Sequence, residues 1–130
     1  MTVLLLSMIL AVTSPAQQVS MERFLEAIRQ VESHGNDKAV GDGGKAIGPF
    51  QIWKAYWQDA VEHDKTIGGK YEDCYDPAYA ARIVRAYMAR YAPKGASLEV
   101  MARIHNGGPK GHQKEATLAY WAKVQKELAR

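Results

Sequence analysis

Apolar residues recur three or four positions apart through most of the chain, which is the spacing of one helix face. The first such run covers residues 21–33, directly after Ser20, a residue type that caps helix starts. Gly35 and Asn36 follow as a stop signal. The pattern therefore predicts an amphipathic helix over 21–33, with Glu32 in its last turn beside the apolar stripe.

Four further helices are predicted by the same spacing. Asp76 before Pro77 is an N-cap followed by proline at the first helical position, a strong start signal. The segment that follows Phe50 is rich in aromatic residues and predicts a short helix. The predicted helices are a short one around Tyr56 and Trp57, one from Pro77 to near Pro93, one from Ser97 to Asn106, and one over Leu118–Leu128.

Between residues 36 and 49 the pattern changes, because glycines crowd a short segment. The apolar pairs Ala39-Val40 and Ala46-Ile47 flank three of these glycines, and Asp42 lies between the two pairs. This arrangement predicts a small β-hairpin or a glycine-rich loop with Asp42 at its tip. The expected fold class is mainly α within an α+β architecture, with about five helices and one small hairpin.

The first 16 residues differ from the rest of the chain. Residues 3–12 are almost wholly apolar, and no charged residue precedes Glu22. Ser14 and Ala16 are small residues at the positions that a signal peptidase inspects. The run is too short to span a bilayer, so we expect a signal peptide at 1–16, with a lipid anchor or a buried helix as alternatives. The folded domain is expected over 17–130, in a secreted or periplasmic protein without a stable membrane anchor.

Composition indicates one globular domain. The chain has 130 residues, of which 47% are hydrophobic, enough for a modest single core. Cys74 is the only cysteine, so an intramolecular disulfide is impossible, and a partly buried thiol is the expected role. The formal charge of +3 is a mild bias toward anionic partners.

Several kinds of site are excluded by residue type and spacing. The four histidines lack zinc-ligand spacing, and Asp42-Gly43-Gly44 lacks the acidic repeat of a calcium loop. Gly43-Gly44-Lys45 is not a phosphate loop, because Ala46 replaces the required Ser or Thr. The basic residues are scattered, which argues against nucleic-acid binding. We expect no metal site and no cofactor.

Glu32 and Asp42 are placed as a complementary pair of carboxyl groups. An apolar rim and the negative end of a helix dipole favour the protonated form of Glu32. Asp42, in a polar turn, is expected to stay ionised. Glycoside hydrolysis needs such a pair, one carboxylic acid and one carboxylate flanking the sugar bond. Asp37 is the other candidate for the second carboxylate, although it lies close to the helix end.

Five blocks of sequence resemble the invertebrate-type lysozymes, also called the destabilase family. They keep the family order, cover nearly all of the chain after Ser20, and are most specific over 102–109. The blocks are Val31-Glu32-Ser33-His34-Gly35, Gly48-Pro49-Phe50-Gln51-Ile52 with Tyr56-Trp57, Ala86-Tyr87-Met88-Ala89-Arg90-Tyr91, Ala102-Arg103-Ile104-His105-Asn106-Gly107-Gly108-Pro109, and Thr117-Leu118-Ala119-Tyr120-Trp121-Ala122-Lys123-Val124.

The resemblance implies a lysozyme-like fold and a retaining lysozyme that hydrolyses peptidoglycan. Glu32 matches the family's acid and Asp42 its second carboxylate, the nucleophile. The implied partners are peptidoglycan strands and a proteinaceous lysozyme inhibitor. The implied biological role is antimicrobial, through lysis of cell walls. Implied substrate-binding residues are His105, Asn106, Gly107, Gln51 and Tyr87.

The chain departs from the animal members of the family at two places. Ile47 stands where those members have a cysteine, so the hydrophobic core must replace their disulfides. Trp53 stands where a lysine is associated with isopeptide cleavage, and residues 43–49 contain no serine. We therefore do not expect the isopeptidase activity of some members.

Two other functions compete with a lysozyme at this point. A lytic transglycosylase cuts the same polymer with a single glutamate, and Asp42 would be dispensable there. A non-catalytic wall-binding module would need neither carboxylate, and Glu32 would then be an ordinary exposed glutamate.

Overall fold

Five α-helices and a small sheet make up the fold in the computed structural model, which describes residues 18–130. The predicted signal peptide at 1–16 lies outside the described residues. The helices are α1 (Met21–Ser33), α2 (Lys54–His63), α3 (Pro77–Tyr91), α4 (Leu98–Gly107) and α5 (Leu118–Leu128). The predicted fold class is thereby confirmed.

The helix starts follow the local signals in the sequence. The Ser20 side chain accepts a hydrogen bond from the Arg23 amide, and Asp76 does the same for Tyr79 at the start of α3. Helix α1 ends at His34, whose left-handed backbone (φ 52°) stops the helix one residue before Gly35. This end leaves Glu32 in the last turn of α1.

The sheet has three antiparallel strands in the order β1 (Val40–Gly41), β2 (Ala46–Ile47) and β3 (Ile52–Trp53). The hairpin of β1 and β2 matches the prediction, and a 3-10 turn over Asp42–Gly44 connects them. Strand β3 was not predicted, since residues 50–53 were expected to lead into α2. A strand of two residues is too short to show an alternating pattern.

The core lies between the helices and one side of the sheet. Its largest fully buried side chains come from β3 and from every helix except α2, together with Pro49 and Cys74 outside these elements. Phe24 and Ile28 of α1 pack with Ile83 of α3 and Ile104 of α4 in this core. The remaining contact that matters for the site is α1 against α5, which places Tyr120 near Glu32.

Candidate active site

A cleft of about 260 Å³ lies between the last turn of α1, the sheet and the end of α4. It brings together both predicted catalytic carboxyl groups and four of the five predicted binding residues. A larger apolar groove of about 560 Å³ lies where α1, α3 and α4 meet, but no carboxyl group lines it. The residues that line the cleft are Glu32, Asp42, Gln51, Trp53, Tyr56, Tyr87, His105, Asn106 and Gly108.

Glu32 is partly buried at the base of this cleft. Burial raises the pKa of its carboxyl group to about 7, and the negative charge of Asp42 acts in the same direction. The nearby Tyr120 hydroxyl and the Lys123 ammonium lower this pKa, but they do not outweigh burial. The Tyr120 hydroxyl makes no hydrogen bond of ordinary geometry among the described residues. Glu32 can therefore hold a proton near neutral pH.

Asp42 is exposed at the start of the 3-10 turn that follows β1. Its backbone is left-handed (φ 51°), a conformation that aspartate adopts more readily than most residues. The side-chain Oδ2 accepts a hydrogen bond from the Trp53 indole at 3.1 Å. Glu32 and Asp42 thus enter one cleft from two elements, with one carboxyl group partly buried and the other solvated.

Asp37 is held elsewhere by an ion pair. The Arg29 guanidinium donates to Asp37 Oδ1 at 3.1 Å and to the Gly35 carbonyl at 3.2 Å. Asp37 does not line the cleft. Its position at the base of the loop favours Asp42 as the second carboxylate.

His105 lines the cleft with both ring nitrogens already bonded within the protein. Nε2 donates to the Phe50 carbonyl at 3.1 Å, and Nδ1 can then accept from the Tyr56 hydroxyl at 2.8 Å. Burial lowers the pKa of His105 to about 4, so the ring is neutral near pH 7. His105 joins α4 to the turn between β2 and β3 and to α2, and this bonding leaves no ring nitrogen for a sugar.

Two tyrosines form the floor of the cleft. The rings of Tyr56 and Tyr87 are stacked with centroids 3.6 Å apart. Tyr87 is only 4% exposed, so most of its surface is in the core. Burial raises the pKa of Tyr87 to about 12, which keeps its hydroxyl protonated.

Gln51 contacts the hairpin that carries Asp42. Its side-chain amide donates to the carbonyls of Ala39 at 3.2 Å and Gly48 at 3.0 Å. Its own backbone is left-handed, with φ 51°. The side chain packs so closely on Gly41 that a Cβ there would overlap the Gln51 amide oxygen. Gln51 therefore shapes the hairpin that carries Asp42, besides lining the cleft.

At the end of α4 the structure separates three neighbouring residues. Asn106 is exposed and lines the cleft, and Gly108 lines it as well. Gly107 does not, because it packs against Thr117, whose methyl group a Cβ at 107 would overlap. The glycine at 107 is explained by this packing, and Gly108 takes the cleft position that the resemblance implied for Gly107.

Three residues near the carboxyl groups were not predicted as site residues: Trp53, Tyr56 and Tyr120. Tyr56 and Tyr120 occur in blocks that carry the family resemblance, which was the available signal. Their role depends on contacts across 49 residues to His105 and from α5 to α1, which no local pattern shows. Trp53 was interpreted as more typical of a core residue than of a substrate contact, and it stands at a position where the chain departs from the family.

Residues 18–130 contain no group of three His, Cys, Asp or Glu side chains that could hold a metal ion. Over the same range, no helix has the length and apolar character needed to cross a membrane.

Comparison with known proteins places this geometry in a family. The lysozyme of Ostrea edulis is 37% identical to the chain, and the match covers 96% of this chain and 93% of that protein. The crystal structure of Tapes japonica lysozyme superimposes with a TM-score of 0.69 at 33% identity, over 81% of this chain and 88% of that one. Meretrix lusoria lysozyme, crystallised in complex with PliI of Aeromonas hydrophila, gives a TM-score of 0.68 at 37% identity, over 83% and 89%.

The family model described as Destabilase matches residues 21–127. This range includes all five helices, apart from the last residue of α5, and the whole cleft. The chain therefore belongs to the destabilase family, the invertebrate-type lysozymes.

Proposed function

We propose that the chain hydrolyses the β-1,4 bond between N-acetylmuramic acid and N-acetylglucosamine in peptidoglycan, with Glu32 as general acid and Asp42 as nucleophile. The enzyme class, a glycoside hydrolase of the lysozyme kind, follows from family membership. The residue roles rest on one observation. A partly buried carboxyl group with its pKa raised to about 7 shares a cleft with an exposed carboxylate.

The reaction proceeds in two steps. Glu32 donates its proton to the glycosidic oxygen while a carboxylate oxygen of Asp42 attacks the anomeric carbon, so the sugar bond breaks and a glycosyl ester forms. Water then attacks the anomeric carbon, Glu32 takes a proton from it, and the Asp42 carboxylate leaves. Two inversions give retention of configuration, and the product has a reducing end.

The other residues of the cleft bind or orient the sugar. The Asn106 amide offers both a donor and an acceptor, which suits an N-acetyl group. Gly108 lets the glycan strand approach closely, Tyr87 forms part of the floor of the cleft, and Gln51 forms part of its wall. His105 acts through Tyr56 and Phe50, which it holds in place.

Substitution of the two carboxyl groups tests these roles. Glu32→Gln should lower wall lysis in a turbidity assay by about 10²-fold or more, the scale of general acid catalysis. Asp42→Asn should be nearly inactive, whereas Asp37→Asn should be mildly affected. Glu22→Gln is the matched control, because Glu22 is exposed on the same helix and pairs with Arg85 outside the cleft.

Product analysis separates the competing mechanisms. A hydrolase gives reducing muramic acid ends, whereas a lytic transglycosylase gives 1,6-anhydro ends. An active Asp42→Asn enzyme with anhydro products would replace the two-carboxylate mechanism with the single-glutamate one. A fully active Glu32→Gln variant would contradict the assignment of the acid.

The protein is expected to act outside the cytoplasm as a secreted or periplasmic enzyme. Export with processing after Ala16 accounts for the uncharged apolar run at 3–12 and the small residues Ser14 and Ala16. The intact mass of protein from an export-competent host checks this, and a retained Met1 would contradict it. A proteinaceous inhibitor is a second expected partner, since PliI forms a complex with the related Meretrix lusoria lysozyme.

A further inference from the structure

We propose that Trp53 is a positioning residue for the Asp42 nucleophile, an inference that rests on the function proposed above. The indole Nε1–H of Trp53 donates to Asp42 Oδ2 at 3.1 Å. Both residues line the cleft. Trp53 is 44% exposed, so burial in the core does not account for a tryptophan here.

The strand register brings the two residues together. Gly41 pairs with Ala46, and Ala46 pairs with Trp53, so these three residues form one row across the sheet. Asp42 directly follows Gly41, two strands away from Trp53. Two strand spacings amount to about 9.5 Å, and only a long side chain at position 53 can bridge such a gap.

Asp42 needs an external contact to hold its orientation. It is exposed and is followed by Gly43 and Gly44, whose backbones are left-handed with φ 66° and 93°. A carboxylate in such a turn is free to rotate, yet attack on an anomeric carbon requires a defined approach. The indole fixes Oδ2 and leaves Oδ1 free to act as the attacking atom.

The ring face of the Trp53 indole makes a second contact with the same turn. The ammonium group of Lys45 lies 5.5 Å from the centre of the Trp53 ring, in a cation–π arrangement. Lys45 follows the two glycines of the same turn. Trp53 therefore contacts the turn at two points, Asp42 at its start and Lys45 at its end.

The substitution Trp53→Phe tests the proposal, because it keeps an aromatic ring at position 53 and removes the five-membered ring that carries the indole N–H. We expect kcat on peptidoglycan fragments to fall about tenfold or more, the effect of losing a hydrogen bond to a charged group, with KM changed less than twofold. Trp57→Phe is the matched control. It removes an indole hydrogen bond to the Tyr79 hydroxyl outside the cleft, and should leave kcat unchanged.

The hydrogen bond can also be observed without catalysis. In a nitrogen–proton correlation spectrum, the indole signal that is missing from Trp53→Phe identifies Trp53. That signal should move in Asp42→Asn, because a neutral amide replaces the ionised acceptor, and it should not move in Asp37→Asn. An indole signal that stays in place in Asp42→Asn would overturn the contact.

The kinetic results distinguish this inference from the function on which it rests. A Trp53→Phe enzyme with kcat within twofold of the parent, beside an inactive Asp42→Asn variant, would overturn the inference alone. A loss confined to KM would do the same, because Trp53 would then be a sugar contact. An active Asp42→Asn variant would instead overturn the proposed function.

Discussion

The carboxyl group of Glu32 has three neighbours whose effects on its pKa oppose one another. Asp42 raises this pKa, whereas the Tyr120 hydroxyl and the Lys123 ammonium lower it, and burial dominates all three. The general acid must carry a proton when substrate arrives. Activity should therefore fall as the pH rises above about 7, with Glu32 responsible for the basic limb of the kcat/KM profile.

Tyr120→Phe should move that basic limb to higher pH. The substitution removes a hydroxyl that lowers the pKa of Glu32. It should cost the fold little stability, because the hydroxyl lies near Glu32 without making a hydrogen bond of ordinary geometry among the described residues. Tyr79→Phe is the control, since its hydroxyl donates to Gly68 outside the cleft. Initial lysis rates between about pH 5 and 9 define the basic limb of each variant. A basic limb that does not move in Tyr120→Phe would contradict the assignment of this limb to Glu32.

Glu32 should also make the stability of the protein depend on pH. Its pKa rises from the ordinary value of 4.5 to about 7 on folding, so the folded state prefers the protonated form. This preference stabilises the fold fully below pH 4.5, and the stabilisation is lost as pH rises through 7. The loss is on the order of 3 kcal/mol.

Glu32→Gln should therefore unfold at higher urea concentration than the parent at pH 8 and at a similar concentration at pH 4. Glutamine is uncharged at both values and does not incur the cost of a buried carboxylate. Urea unfolding followed by circular dichroism at the two pH values checks this expectation. An equal difference in urea midpoint between parent and variant at the two pH values would show that Glu32 is not buried in its charged form.

At the scale of elements, the hairpin that carries Asp42 is held by the turn between β2 and β3. Gly48 in this turn has φ 77° and lies so close to the Cys74 carbonyl group that a Cβ would overlap it, and a tight contact with the Tyr75 backbone would be added. Gly43, in the 3-10 turn, has a similar φ of 66° but open space around it. The two glycines share one backbone conformation and differ only in their surroundings.

Gly48→Ala should accordingly be far more destabilising than Gly43→Ala. The left-handed conformation alone costs an alanine about 1–2 kcal/mol, which is all that Gly43→Ala should lose. Gly48→Ala adds a clash with rigid backbone, and the sum should reach about 3 kcal/mol or more. Thermal unfolding of the two variants gives the comparison, and equal losses would mean that the sheet does not pack against residues 74–75 as described.

At the scale of the whole molecule, the domain is stabilised without a disulfide. Cys74 is the only cysteine, and its side chain is 0% exposed in the core. Burial raises the pKa of this thiol to about 12, so it stays protonated and unreactive. The sequence predicted a partly buried thiol, and the structure shows a fully buried one.

Reducing agent should leave both the melting temperature and the activity unchanged. Cys74→Ala should cost about 1 kcal/mol for the cavity that it creates. Cys74→Ser should cost more, because a hydroxyl in the core without a partner adds roughly 1–3 kcal/mol. A serine variant as stable as the alanine one would show that the site admits water. A loss of activity in reducing agent would reveal an intermolecular disulfide.

Local signals in the sequence determined the helices and the hairpin. The N-caps Ser20 and Asp76, the proline at 77 and the apolar spacing act over a few residues, so they can be read along the chain. The same signals placed Glu32 in a last turn and Asp42 among glycines. Family resemblance then selected Glu32 and Asp42 as candidates among the 14 acidic residues.

Only the tertiary structure decided how these residues act on one another. The pKa of Glu32 depends on burial, and Tyr120, a group that lowers it, lies 88 positions further along the chain. The proposal of Asp42 in place of Asp37 rests on the ion pair that holds Asp37 to Arg29. Strand β3 and its Trp53 contact with Asp42 depend on pairing between strands of two residues each. Such contacts join groups far apart in sequence, and their energies come from desolvation and geometry, which no short pattern of residues encodes.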